Sequence, residues 1–231
     1  MASRSEVGCD SLVEHGFAIE SNVFTTEEMD RLSDDLSAAS LPRTRAGIRH
    51  VMGHPAVSDV ANNPRLLHLA KEVLGPNAFP FHATLFDKSP DANWLVVWHQ
   101  DTALPLRERL DTPGWGPWSV KDGVNYAHAP ASVLEQILAI RIHLDDSAAD
   151  NGPLRILPGT HNRGVLSDDE IFHLSTLLEP VECTVKRGGL VLMRPLIVHA
   201  SSKSKSERRR RVLHIEYAAR ASFNGLQLTL A

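Results

Sequence analysis

The sequence predicts a mainly β protein, a two-sheet barrel of the jelly-roll kind entered through a helical segment. Three observations lead there. Short runs rich in β-branched and aromatic residues alternate with Gly, Pro, Asn and Asp turn signals from about residue 79 onward. Helical periodicity is concentrated near the front. Residues of metal-ligand type stand on widely separated segments, which the open end of a barrel can gather. With 231 residues, 42% of them hydrophobic, the chain is long enough for one substantial core. One domain over residues 1–231 is therefore expected, helical over about 25–75 and β over about 79–220.

Thr25 and Thr26 are placed to cap a helix from Glu27 to about Ala39, with Met29, Leu32 and Leu36 at spacings of three and four. Asn63-Pro64 opens a second helix that Gly75-Pro76 stops. The expected strands are Phe79 to Phe86, Leu95 to His99, Ile137 to Leu144, Leu154 to Leu157, Val181 to Lys186, Leu190 to Met193 and Arg210 to Ala218. Ser167 with Glu170 three residues on is a capping box, which predicts a helix over Ser167 to Leu178 between strands.

The stretch Trp98-His99-Gln100-Asp101, followed one hundred residues later by His199, carries the chemistry. Two imidazoles and one carboxylate leave three positions open on an octahedral metal, the arrangement of non-haem Fe(II) centres that handle O2. Such a centre draws extra electrons from a cosubstrate such as 2-oxoglutarate, whose far carboxylate calls for a planar, permanently charged partner. An arginine-rich strand after His199 offers one. The motif alone is weak: 12 histidines and 15 aspartates make roughly one His-x-Asp expected by chance. A second copy stands at His143-Leu144-Asp145 and a relaxed one at His214-Ile215-Glu216, and spacing does not choose among them.

Context does. The string Asn151-Gly152-Pro153-Leu154-Arg155-Ile156-Leu157-Pro158-Gly159-Thr160-His161, preceded by Leu144-Asp145-Asp146, closely resembles a signature segment of the phytanoyl-CoA dioxygenase family. With Trp-His-Gln-Asp upstream and His199 downstream, three motifs stand in the family's order, and the resemblance runs from about residue 12 to residue 220. It implies a double-stranded β-helix (jelly roll, cupin-like) with N-terminal helices packed on one sheet. It also implies Fe(II) held by His99, Asp101 and His199, with 2-oxoglutarate and O2 consumed as a substrate is hydroxylated and succinate and CO2 are released. Asp101 argues against the related halogenases, which carry a small residue there.

Lys203 to Arg211 holds six basic residues in nine, a pattern of solvated loops and of nucleic-acid patches. Side chains alternate along a strand, so only one of Arg210 and Arg211 points into the barrel. The resemblance places the oxoglutarate arginine eleven residues after the second histidine, at Arg210; a one-residue bulge would give the role to Arg211. Arg141, mid-strand among apolar residues, needs a carboxylate partner, a nearby aspartate first and cosubstrate or substrate otherwise. Lys88 reads as a surface lysine, with cosubstrate binding as its alternative. Arg155 suits a structural salt bridge or a substrate contact, and His161 a structural or a site-supporting role.

Thr102 to Ser132, with Pro105, Pro113, Pro117 and Pro130 beside Trp115, Trp118 and Tyr126, reads as a long loop that closes over the site. Trp115 or Trp118 would then wall the substrate; the alternative is a rigid surface loop.

A net charge of −4 and a pI near 6.3 predict no attraction to nucleic acid or anionic membranes. Cys9 and Cys183 form no paired motif, which suits a reducing compartment. The first ten residues lack an apolar signal core, and the chain ends Leu228-Thr229-Leu230-Ala231, unlike a peroxisomal address. A cytoplasmic protein with a small-molecule substrate is expected. A cupin-like binding protein without oxygen chemistry is the alternative from another class.

Overall fold

The computed structural model describes residues 10–39 and 47–231; Cys9 and most of the N-terminal stretch read for targeting lie outside them. Helix α1, Thr26–Ala38, starts at the Thr25 capping box, whose side chain takes the Glu28 amide while Glu28 returns to the Thr25 amide. Helices α2, Pro55–Ala61, and α3, Pro64–Leu74, each begin at a proline, and Gly75 ends α3.

The main sheet has the order β1-β10-β7-β12-β2, from β1 (Phe17–Glu20), β10 (Leu190–Met193), β7 (Ile137–His143), β12 (Arg210–Ala218) and β2 (Phe79–Lys88), all antiparallel. Its outer face, with Leu138, Ile140, Ile142, Leu213 and Ile215, packs on Met29, Leu36, Val57 and Leu66 of the three helices. Each such side chain contributes roughly 1.5–3 kcal/mol when fully buried. The Tyr217 hydroxyl donates to the Ala61 carbonyl at 2.8 Å and ties α2 to this sheet.

The second sheet, β3-β11-β8-β9, comprises β3 (Val96–His99), β11 (His199–Ser201), β8 (Leu154–Ile156) and β9 (Val181–Cys183). Leu154, Ile156 and Cys183 meet Phe17, Ala139, Val191 and Met193 of the main sheet to form an inner core. This is the double-stranded β-helix with helices on one sheet. A helix after β8, Asp168–Leu177 (α4), starts at the expected Ser167 capping box and packs Ile171 and Leu174 against Leu157, Val198 and Trp98.

One expectation changes here. The stretch after Asp101 is a third antiparallel sheet, β4-β6-β5, formed by Ala103–Leu106, Val124–His128 and Trp118–Lys121. These strands are four or five residues long and broken by proline and turn residues, so their pattern in sequence is that of a loop. Beneath it lies a second core with Leu104, Leu106, Trp115, Ala127, Leu134 and Phe223. Strand β1 and helix α2 also escape sequence reading; four and seven residues hold too few apolar repeats to register.

Candidate functional site

Strand register assembles the site. On β3 and β11, His99 lies directly opposite His199, and their ring centroids are 4.3 Å apart. Between this pair and the next, Ser201 opposite Val96, β3 carries one residue more than β11. Asp101 follows β3 in a turn whose amide donates to Pro195 O at 3.0 Å. Its carboxylate oxygens stand 3.5 Å from His99 Nε2 and 3.4 Å from His199 Nε2. One ligand atom from each of the three lies within 4.8 Å of the others.

The Nδ1 atoms settle the tautomers. His99 Nδ1 donates to Val97 O at 2.8 Å and His199 Nδ1 to Ile197 O at 2.9 Å, leaving both Nε2 lone pairs facing Asp101. Burial holds the His199 imidazole down to about 4, neutral and ready to ligate. At Asp101 burial opposes ionisation, but the two histidines outweigh it and hold the carboxyl below its ordinary range. His199 and the carboxylate are therefore in ligating form, while at His99 burial is outweighed by hydrogen bonding to Asp101, which raises its pKa and holds a proton that a bound divalent metal would displace. The His143 alternative does not join them. His143 is buried behind Arg141 and Arg210, lowered to about 3 by burial and then by those charges, with no hydrogen bond at either ring nitrogen.

Gln100, between the two ligand positions, has no role in the sequence reading. Its amide donates to Leu196 O (2.6 Å) and Gly164 O (2.9 Å) and accepts from Leu166 N (2.8 Å), pinning the ligand turn to the segment before His199.

A cavity of about 570 Å³ opens beside the triad. At one end Arg210 lies opposite Lys88, and next along the sheet His214 lies opposite Arg141. All three cations are buried. Lys88 Nζ donates to Ser201 Oγ (2.7 Å) and Ser202 O (2.6 Å), Arg210 Nε to Asn151 O (3.2 Å), and Arg141 to His214 Nδ1 (2.9 Å). Among the described residues no carboxylate pairs with any of them. Burial, then the charges of Arg210 and Arg141, lowers Lys88 to about 7; burial, then Arg141, lowers Arg210 to about 10. Uncompensated buried charge of this kind is costly and marks a place for an anion.

The neighbouring arginines behave otherwise. Arg211 grips Asp145 through both nitrogens (2.8 and 2.9 Å), Arg209 grips Asp87, and Arg208 grips Asp150. The Asn151-Gly152 turn supports the cationic end. Gly152 has φ +68°, and a Cβ there would meet Ser202 O at 2.4 Å, so only glycine lets this turn pass beneath the serine that Lys88 grasps.

Four expectations need correction. Lys88 is buried, not on the surface, because its position opposite Arg210 turns it inward. Arg141 has no aspartate partner; it meets His214 and the face of Phe86. Arg155 does not line the cavity and shows no salt bridge; its guanidinium lies 5.0 Å over the Trp98 ring on the outside of the second sheet. Trp115 and Trp118 lie away from the cavity, Trp115 buried in the second core and Trp118 packed against it, since the third sheet carries these rings to its own underside. His161 holds Val13 O at 3.3 Å, a structural contact.

The far end of the cavity joins Glu216 and Tyr126, named in the sequence for other reasons, to His82 and His50, which the sequence did not single out. Glu216 Oε2 meets His82 Nδ1 (2.5 Å), His82 Nε2 meets the Tyr126 hydroxyl (3.1 Å), and that hydroxyl meets His50 Nε2 (2.8 Å). Arg49 and Lys121 line the same end.

A double-stranded β-helix presenting two imidazoles and a carboxylate beside a buried cationic grip defines the class of mononuclear metal-site β-helix proteins. The sequence profile of the phytanoyl-CoA dioxygenase (PhyH) family matches residues 12–212, and the chain belongs to that family. It is 29% identical over 180 residues to L-proline trans-4-hydroxylase of Streptomyces griseoviridis, covering 67% of this chain and 59% of the relative. Against the peroxisomal phytanoyl-CoA dioxygenase of Homo sapiens it is 22% identical over 169 residues, 68% of this chain and 44% of the relative. The chain thus spans less than two thirds of these relatives. In fold it is similar to EctD from S. alaskensis with 2-oxoglutarate and 5-hydroxyectoine (TM-score 0.70, 19% identity, 94% of this chain and 76% of that one). The carbocyclase SnoK from nogalamycin biosynthesis is similar too, with TM-score 0.72 and 14% identity over 99% of this chain and 88% of that one.

Proposed function

We propose that the protein is an Fe(II)- and 2-oxoglutarate-dependent oxygenase that hydroxylates a small organic substrate, with succinate and CO2 as co-products. The observation that carries this reading is the convergence of His99, Asp101 and His199 next to three buried cations without a carboxylate. When bound, iron supplies O2 activation and 2-oxoglutarate the remaining electrons.

The chain's own part is binding, orientation and exclusion of water. His99, Asp101 and His199 hold the metal, and the Val97 and Ile197 carbonyls keep each imidazole turned toward it. Arg210 would grip the far carboxylate of 2-oxoglutarate, and Lys88 and Arg141, lining the same cavity, would add positive charge toward it. Ser201 steadies the Lys88 ammonium and itself donates to Gly152 O at 2.9 Å, so the grip is fixed before the ligand arrives. Ion pairing leaves Arg211 with Asp145, which supports Arg210 for the role.

No helix among the described residues is long and apolar enough to cross a membrane. Cys183, a buried free thiol pushed up to about 12 by burial, suits the reducing cytoplasm we assign to the protein.

Anaerobic addition of Fe(II) and 2-oxoglutarate tests the proposal. The metal–cosubstrate charge-transfer band should appear in the visible spectrum and be absent from His199→Ala. A wild-type protein that binds neither would return the fold to the cupin-like binding reading.

A further inference from the structure

The far end of the cavity carries a charge that the proposed chemistry leaves unused. Inward-facing positions along β2 and β12 run from Lys88 and Arg210 to His82 and Glu216, six residues or about 20 Å along the strands. The two ends are separate. The charges acting on Lys88 come from Arg210 and Arg141, whereas Lys121 responds to Arg49, Asp101 and Glu216.

Among the described residues the cavity is lined by five cationic side chains, Arg49, Lys88, Lys121, Arg141 and Arg210, and two carboxylates, Asp101 and Glu216. A divalent metal and the dianionic cosubstrate cancel each other in this count, so the cationic surplus remains after both are bound. Glu216, bonded to His82 at 2.5 Å, takes back one unit at this end. The Lys121 ammonium sits 4.6 Å over the Tyr126 ring, with no carboxylate within ion-pair distance. Burial, then the Arg49 charge, holds it below its ordinary range. The exposed approach of Arg49 to Asp122, 3.9 Å, offsets little more, so of the two charges on Arg49 and Lys121 about one unit remains after Glu216.

Resting on the oxygenase reading above, we propose that Arg49 and Lys121 form the substrate subsite, and that the substrate is a small monocarboxylate whose anionic head they hold while its carbon skeleton lies beside the His99, Asp101 and His199 cluster. One surplus unit of charge suits a carboxylate better than a dianionic phosphate. Leu95 and Val97 line the same cavity while 56% and 67% exposed, and they give the skeleton an apolar wall. The Tyr126 hydroxyl, bonded to both His82 and His50, closes the same end.

The test uses protein loaded with Fe(II) and saturating 2-oxoglutarate without oxygen, so that the Lys88 and Arg210 end is filled. Calorimetry compares butanoate, cyclohexanecarboxylate and benzoate, each with its primary amide. Each carboxylate should bind at least about tenfold more tightly than its amide, as a charge-assisted contact requires. The preference should collapse in Arg49→Gln/Lys121→Gln while the charge-transfer band and 2-oxoglutarate affinity persist. Should the double variant lose the band, Lys121→Gln alone, on a solvent-facing hairpin strand, should still cut the preference severalfold. Equal binding of acid and amide in the wild type, or a preference that survives the variants, would overturn the subsite. Absence of the band from wild-type protein would instead overturn the oxygenase reading, so the two failures are distinguishable.

Discussion

His99 and His199 are cross-strand partners, one hundred residues apart in sequence and facing each other on β3 and β11. Their ligating geometry is thus a property of sheet pairing, which the large inner core maintains with or without metal. His99→Ala and His199→Ala should each abolish stoichiometric Fe(II) binding while near- and far-ultraviolet circular dichroism stay those of wild type. His143→Ala should keep its iron; loss of iron there, with retention in His99→Ala, would reassign the centre.

Arg210 and Arg211 separate cleanly. Arg210→Ala should weaken 2-oxoglutarate at least tenfold, a loss of about 1.4 kcal/mol or more, with iron affinity nearly unchanged. Arg211→Ala leaves Asp145 without its bidentate partner. It should lower the melting temperature and spare the cosubstrate. The opposite pattern in a calorimetric titration would exchange the two residues.

Lys88 gives the cosubstrate-free protein a signed pH dependence. Its folded pKa is depressed to about 7 from 10.5, so between those values the unfolded chain holds a proton the folded one has lost, and stability rises with pH. The slope from this group is at most about 1.4 kcal/mol per pH unit. 2-Oxoglutarate favours the charged lysine, so its affinity should fall as pH climbs above about 7. Lys88→Met should flatten both curves, which denaturant titrations and binding isotherms across pH 6–9 would reveal.

Gln100→Ala removes three hydrogen bonds that hold the turn between His99 and Asp101. Iron affinity should drop roughly 10–100-fold, the usual cost of losing ligand-orienting contacts. Unchanged iron affinity by competition with a metal-sensing dye would show that the backbone bond from Asp101 to Pro195 suffices.

Trp115 is a core residue. Trp115→Ala should cost about 3–5 kcal/mol of stability. Iron and cosubstrate binding should be retained at temperatures where the variant remains folded. A selective effect on coupling of succinate to product, without loss of stability, would restore the lid reading.

The residues that the structure brings together were legible in uneven measure. His99, Asp101 and His199 stand in short motifs, and the long β12 run is an unbroken pattern. Lys88 was not legible, because Asp87-Lys88-Ser89-Pro90 has the composition of an exposed turn and only pairing with Arg210 turns the lysine inward. The third sheet hid behind its prolines and short strands. Arg49, Lys121, His82 and His50 follow no motif, since with Tyr126 and Glu216 they come from four distant segments joined by tertiary packing alone.

The extra residue of β3 between Val96 and His99 limits how such a chain can diverge. Removing it would invert the parity of the strand and turn His99 to the opposite face, undoing the centre without altering one chemically important side chain. Single-residue deletions across 96–98 should therefore be far less tolerated than substitutions there. Lineages built on this scaffold are expected to change length between strands, as in the segment 107–117, and to change identity within them.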